Sequence, residues 1–281
     1  MSRGGAPAFA ERPALTVLLH DPRYEVIPVQ GIEQKVAALP YGATVTVTAS
    51  PSHGLDRTFD VSAALAARGY TVVPHIAARM VSGRSHLERL VQQLEGSGIR
   101  EAFVIGGDAD PPAGGYADAG DLLEELGGIA HPFARIGIGG YPEGHPLVPD
   151  DRLLEALRRK QPFASYIVTQ LCFDAGALGA WAADIRAAGV ELPIVAGLPG
   201  VVERKRLAEI SLKSGVGASL RYLRKHGRQI VTLARSKRYD PTPLAGDIAE
   251  YAADDSLGIR GAHLFTFNQV EATRDWVAGL S

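Results

Sequence analysis

Cysteine is nearly missing from this 281-residue chain, where Cys172 stands alone. A single thiol excludes an intramolecular disulfide and any cysteine cluster able to hold zinc or an iron–sulfur centre. It suits a reducing compartment, so a cytoplasmic location is expected. An excess of either charge is missing too: Lys and Arg number 29 against 31 Asp and Glu, a formal net charge of −2. Such a balance creates no general field for DNA, RNA or an anionic membrane, and neither nucleic acid nor membrane is expected as a partner. Nowhere do about 20 apolar residues run together, as a membrane span requires. The opening MSRGGAPAFAERPAL has no apolar run of the signal-peptide kind, and residues 1–13 read as a flexible tail.

What is present is ample core material, with 46% hydrophobic and 21% charged residues, enough for one large folded unit. Short β-rich runs alternate with longer amphipathic runs, the pattern of repeated βα units in a parallel sheet. Strands are expected at Tyr24–Pro28, Thr44–Thr48, Thr71–His75, Ala102–Gly106, Arg135–Gly139, Ser165–Thr169, Pro193–Gly197 and Ala262–Thr266, and Leu15–Leu19 reads as a short extra strand. Leu87, Leu90, Val91 and Leu94 form one helical stripe that Gly96 and Gly98 end. A second helix follows Asp150 as N-cap, with Leu153, Leu154 and Leu157 buried and Arg158, Arg159 and Lys160 near its end. Ala175 to Gly189, with Trp181 and Ile185, gives a third. Eight strands with intervening helices close most naturally into a (β/α)8 TIM barrel, expected as a single domain over residues 14–281. Roughly 60 residues separate Gly197 from Ala262, about twice what one βα unit needs, so a helical insertion is expected over residues 215–255, before the last strand.

In such barrels the reactive groups sit where strands end and loops begin, and polar residues gather there. Glu25 lies among apolar neighbours in the first strand; Thr48 closes the second and His75 the third. Gly107 and Asp108 follow the fourth, Tyr141, Glu143 and His145 the fifth, Gln170 the sixth and Asn268 the eighth. Each has an ordinary alternative. Glu25 also suits a buried ion pair, Asp108 a turn or helix cap, and His75 and His145 a structural hydrogen bond. Gln170 at a barrel mouth is harder to explain without a ligand, because an amide needs both a donor and an acceptor partner. In GIGGYPEGHP glycine permits close backbone approach, proline stiffens the turn, and Tyr141 offers a ring for stacking.

Seven segments in order resemble the methylenetetrahydrofolate reductase family: YEVIP, TVTAS with LDRT, PHIAAR, VIGGDADPP, GGYPEGHP, VTQLCFD and HLFTFNQVE. Of these, GYPEGHP and TQLCFD are the most specific. The resemblance implies reduction of 5,10-methylenetetrahydrofolate to 5-methyltetrahydrofolate, within one-carbon metabolism and methionine biosynthesis, with NADH or NADPH as electron donor and FAD as intermediate carrier. It assigns Glu25 as the general acid that helps open the folate's five-membered ring, protonated with the help of apolar surroundings such as Tyr24, Val26 and Ile27. Asp108 is implied to bind the pterin and tune the flavin, and Gln170 to hold the pterin's amide edge. Thr48, His75, Gly107, Tyr141, His145 and Lys160 are implied to hold the flavin and its phosphates.

The chain departs from the family pattern in places. Gly106 stands where an Arg often precedes the GD pair, Leu153 and Ala156 where Asp and Asn are frequent, Gln269 where Arg is usual, and GVGASLRYL replaces the folate-stacking segment. Two alternatives follow: a flavin-free reductase taking hydride directly from NADH, and a folate- or flavin-binding protein without reductase activity. The basic run Arg221, Arg224, Lys225 and Arg228 suits either a polyglutamate tail or a solvated face. No GxGxxG fingerprint stands after a strand, so NADH and NADPH remain equivalent at this level, and an oligomer is left open.

Overall fold

The computed structural model describes residues 13–203 and 238–280. Eight parallel strands close into a barrel in sequence order: β1 (Arg23–Val26), β2 (Thr44–Val47), β3 (Thr71–Ala77), β4 (Glu101–Ile105), β5 (Arg135–Gly140), β6 (Tyr166–Thr169), β7 (Ile194–Pro199) and β8 (Ile259–Phe265). All eight expected strands are found. Helices follow them in turn: α2 (Ile32–Val36), α3 (Gly54–Ala66), α4 (Arg84–Gln92), α5 (Ala119–Leu126), α6 (Asp150–Lys160), α7 (Ala175–Ala187), α8 (Thr242–Ala252) and α9 (Val270–Ala278). Outward-facing strand residues such as Val45, Val47, Ile136, Ile138 and Ala196 join the inner faces of these helices in one continuous apolar layer, the usual burial of a parallel sheet on its helix side.

The expected strand at Leu15–Leu19 is instead a helix, α1 (Pro13–Leu18). Leu15, Leu18 and Leu19 are buried and Val17 is exposed, so the apolar residues recur at helical spacing, which a run this short does not distinguish from a strand by composition. In α6 the cap position belongs to Pro149, and Asp150 and Asp151 occupy the first turn, where carboxylates oppose the positive helix end. Leu157 is buried as expected, whereas Leu153 and Leu154 are only half-buried, because that side of α6 borders cavities.

Of the expected insertion over residues 215–255, residues 215–237 lie outside the described residues, and the remainder includes a helix of the barrel itself. Helix α8 is the barrel's own connection into β8, and a backbone bridge joins Glu203 to Arg238 while the Tyr239 amide donates to Val202 O at 2.8 Å. The surplus sequence therefore leaves and re-enters at one point beyond β7. The basic run from Arg221 to Arg228 lies outside the described residues. Among the described residues no helix is long and apolar enough to cross a membrane.

Inside the barrel, the amino-terminal end is closed by an ionic plug. Arg23 Nη1 donates to Glu101 Oε1 at 2.6 Å and to Tyr166 Oη at 3.1 Å, and its guanidinium carbon lies 4.5 Å from the Tyr166 ring centroid. A Cβ at Gly137 would overlap that ring, so this strand position must be glycine for Tyr166 to cross the barrel. Above the plug, Val73, Phe103, Val168 and Val195 pack with Tyr166 as an apolar layer. The polar residues facing inward above it form the floor of the mouth.

Candidate active site

At the carboxyl ends of the strands two cavities share a wall. The smaller, about 210 Å³, lies over the barrel axis and is lined by Glu25, Thr48, His75, Gln170, His263 and Phe265 among others. The larger, about 730 Å³, runs outward toward α6 and includes Arg79, His145, Arg152, Leu153, Ala156 and Lys160. Gly107, Asp108 and Tyr141 border both. The nine residues to which the resemblance gives a role thus border one mouth, four in the smaller cavity, two in the larger and three between, while Glu143 and Asn268, also noted at strand ends, line neither.

Glu25 points into the barrel because its neighbours Tyr24 and Val26 alternate outward into the helix-facing core. Its surroundings are therefore not the apolar Tyr24, Val26 and Ile27 anticipated above but inward-facing groups of other strands, chiefly His263 on the adjacent β8, whose Nε2 is 3.0 Å from Glu25 Oε2. The carboxylate's backbone is fixed from β8: Thr266 Oγ1 donates to Glu25 O at 2.6 Å. Asn268 completes the clamp, accepting from Ile27 N at 2.8 Å and donating to Ile27 O at 3.1 Å. Asn268 is thus a structural staple that adopts a left-handed backbone, φ 62°.

His75 lies within β3, which continues to Ala77, and is 3% exposed. Its ring meets Phe103 edge-on at 4.7 Å. Burial, reinforced by the nearby His263, holds its proton affinity well below the ordinary histidine value, so the ring is neutral near pH 7. It forms the floor of the smaller cavity and does not border the larger.

The loop after β6 is positioned by backbone and by Glu143. Gln170 N donates to Gly140 O at 2.8 Å. Glu143 Oε1 accepts from Phe173 N at 2.5 Å, Asp174 N at 2.9 Å and Cys172 Sγ at 3.2 Å. Glu143 therefore straps the fifth and sixth strand loops together. Gln170 Oε1 accepts from Leu171 N at 2.8 Å, which commits the amide's acceptor to the protein and leaves Nε2 as its donor for a ligand.

Gly107 takes φ 82°, and a Cβ there would stand 2.8 Å from Ala77 Cβ. Only glycine lets the chain turn out of β4 against the end of β3 and brings Asp108 to the rim. Burial, and next the negative charge of Asp108, push the Tyr141 hydroxyl's proton affinity upward, keeping it a neutral donor. Tyr141 and His145 rings meet edge-on at 5.0 Å, and His145 Nδ1 accepts from Leu147 N at 3.2 Å, which leaves Nε2 as the donor of the neutral ring. Lys160 Nζ reaches Gly139 O at 3.4 Å, and burial pushes its ammonium down to about 8.

Two contributors were not singled out from the sequence. His263 is readable only once strand alternation shows that His263 and Phe265 share the inward face of HLFTF. Arg79 lies in PHIAAR and bends over the rim, donating from Nε to Ala109 O at 2.7 Å and from Nη2 to Asp110 at 3.3 Å. It supplies a cation beside Gly106, the position where the family often carries its own.

A profile of the family described as methylenetetrahydrofolate reductase matches residues 28–278. The chain is 24% identical over 258 residues to a 5,10-methylenetetrahydrofolate reductase of Pectobacterium carotovorum, covering 86% of this chain and 78% of the relative. It is 29% identical over 125 residues to methylenetetrahydrofolate reductase 2 of Saccharomyces cerevisiae, covering 41% of this chain and 21% of that protein. To methylenetetrahydrofolate reductase (NADH) 1 of Zea mays it is 29% identical over 132 residues, 40% of this chain and 22% of the relative. The chain thus spans about a fifth of the length of these eukaryotic relatives, and most of the bacterial one. On the match over nearly all of the barrel, the chain belongs to the methylenetetrahydrofolate reductase family.

Proposed function

We propose that this protein reduces 5,10-methylenetetrahydrofolate to 5-methyltetrahydrofolate with NAD(P)H in the cytoplasm, using FAD as carrier and Glu25 as general acid. One observation carries the reading: a carboxyl group open to the barrel mouth, in a small cavity that shares a wall with a larger one lined by Arg79, Arg152, Arg159 and Lys160 along with Asp118 and Glu155. Glu25 Oε1 makes no hydrogen bond to any described residue and is free to hold a proton toward a substrate nitrogen, while Oε2 is occupied by His263. Protonation there opens the folate's five-membered ring and leaves an electrophilic carbon. Gln170 Nε2 donates to the pterin carbonyl edge, and Asp108 accepts from the pterin's amino edge. The neutral His75 and Phe103 close the floor against water.

The larger cavity suits a flavin nucleotide in volume and charge. Gly107 offers bare backbone, Tyr141 a ring face, Thr48 and His145 hydrogen bonds, and Lys160, Arg79 and Arg152 positive charge for a diphosphate. When bound, FAD takes hydride from the nicotinamide and yields it to the folate. A second reading, direct hydride transfer from NADH without flavin, is favoured by Leu153 and Ala156, which put apolar groups on the cavity wall where hydroxyl partners are usual in the family.

The test is a visible spectrum of the purified protein, then anaerobic addition of NADH and of methylenetetrahydrofolate. A flavin band bleached by NADH and restored by folate supports the first reading. Colourless protein that oxidises NADH only with folate present supports the second. Inertness toward both compounds leaves a folate- or flavin-binding protein without reductase activity.

A further inference from the structure

Three polar atoms in the upper barrel are buried without a hydrogen-bond partner among the described residues: Thr46 Oγ1, His75 Nε2 and His263 Nδ1. His263 is 1% exposed, and among the described residues its one hydrogen bond is to Glu25 Oε2 at 3.0 Å. Two tautomers of the ring are available, and they have different consequences. With the proton on Nδ1, an N–H donor would be buried with nothing to receive it, and the bare Nε2 would face the carboxyl oxygen. With the proton on Nε2, that N–H donates to Oε2 and only an acceptor is left unpartnered, the less costly of the two.

The groups around His263 favour the second arrangement. From β1, Glu25 offers an acceptor; Arg23, its neighbour in the strand register, turns its guanidinium away to Glu101. From β3, His75 lies 6.3 Å away ring to ring and is neutral. From β4 and from β8 itself come Phe103 and Phe265, at 6.4 and 4.9 Å. From β7 the opposite residue is Gly197. Among the described residues Glu25 is the one charged partner within hydrogen-bond reach.

We infer that His263, fixed as the Nε2–H tautomer, is a positioning residue that occupies Glu25 Oε2, directs the acid proton onto the cavity-facing Oε1, and stabilises the carboxylate left after that proton is given up. The inference rests on the reductase reading for its catalytic consequence, but the pairing itself is testable without substrate. His263 borders the smaller cavity but is only 1% exposed, and its hydrogen bond is to Glu25, so its effect is expected to pass through that carboxyl group.

The experiment compares wild type, His263→Leu, which removes the donor, and His263→Gln, which keeps one. The titration of Glu25 is followed by carboxyl-carbon NMR, with Glu25→Gln identifying the signal. Loss of the donor is expected to move the Glu25 midpoint up by about one pH unit or more in His263→Leu, with His263→Gln staying near wild type. In folate turnover, kcat of His263→Leu is expected to fall about 10- to 100-fold with the alkaline limb of its pH profile, where the acid proton is lost, displaced the same way, KM little changed and His263→Gln largely rescued. Nitrogen NMR of the unmutated protein should show Nδ1 of His263 as the bare nitrogen, a readout independent of whether a variant folds. Equal Glu25 midpoints in all three proteins, or a bare Nε2, would overturn the inference. A displaced midpoint in a protein that turns over no folate would uphold the pairing and remove the reductase reading instead.

Discussion

At the scale of single residues, the roles proposed for Glu25 and Lys160 are the easiest to isolate. Glu25→Gln preserves shape and one hydrogen-bonding edge while removing the transferable proton. Folate reduction is expected to slow by about 10²–10⁴-fold, the usual worth of a positioned acid, with folate binding and NAD(P)H oxidation by an artificial acceptor nearly unchanged. Stopped-flow measurement of the two half-reactions separates these effects. Lys160 is buried and its ammonium is pushed down to about 8, against about 10.4 in an unfolded chain. Since the folded value is the lower one, its contribution to stability is fully present above about 10.4 and is lost as pH falls through about 8. Urea denaturation of the ligand-free protein should therefore show stability rising from pH 8 toward 10, a trend that Lys160→Met abolishes. Anion binding has the opposite sign: nucleotide affinity should weaken as pH rises through about 8 in wild type and be weak and flat in the variant, as titration calorimetry would report.

At the scale of elements, the sequence was legible wherever periodicity and length agreed. The eight strands are short β-rich runs between amphipathic segments, and all are found. Leu15–Leu19 misled because six residues of PALTVL carry too little periodicity to separate the two kinds of structure. The surplus before β8 was placed too broadly because TPLAGDIAEYA reads as a helix without revealing that it is the barrel's regular one. At the mouth, position along a βα unit predicted which residues face the opening, and most of the strand-end residues border its two cavities. What stayed hidden were pairings between strands, such as Glu25 with His263, which depend on closure of β8 against β1. Asn268 illustrates the same limit: adjacent to the expected site in sequence, it serves the seam between those strands. Asn268→Ala leaves both Ile27 backbone groups unpaired and forces alanine into a left-handed conformation. A loss of about 2–4 kcal/mol in urea unfolding is expected, together with reduced kcat, because the seam fixes Glu25.

At the scale of the whole molecule, the barrel divides labour between its ends. The Arg23–Glu101–Tyr166 plug seals one end with a network that has little water to compete with it. The other end leaves polar groups unpartnered, a cost that a ligand can offset. A bound ligand at 100 times its dissociation constant adds about 2.7 kcal/mol to stability, so FAD or a reduced folate should raise the melting temperature by a few degrees. The chain's only cysteine makes that coupling visible from within. Cys172 is fully buried two residues beyond Gln170, burial pushes its thiol well above the ordinary range, and its sulfur is tied to Glu143 and the Asp174 carbonyl. The molecule thus contains one natural reactive label, expected to be silent while the loop after β6 is shut and to react when it opens. Ellman's reagent should modify it about 100-fold or more slowly than a free thiol, as an opening free energy of about 3 kcal/mol requires. Folate should slow it further, turning a colour change into a clock for that loop.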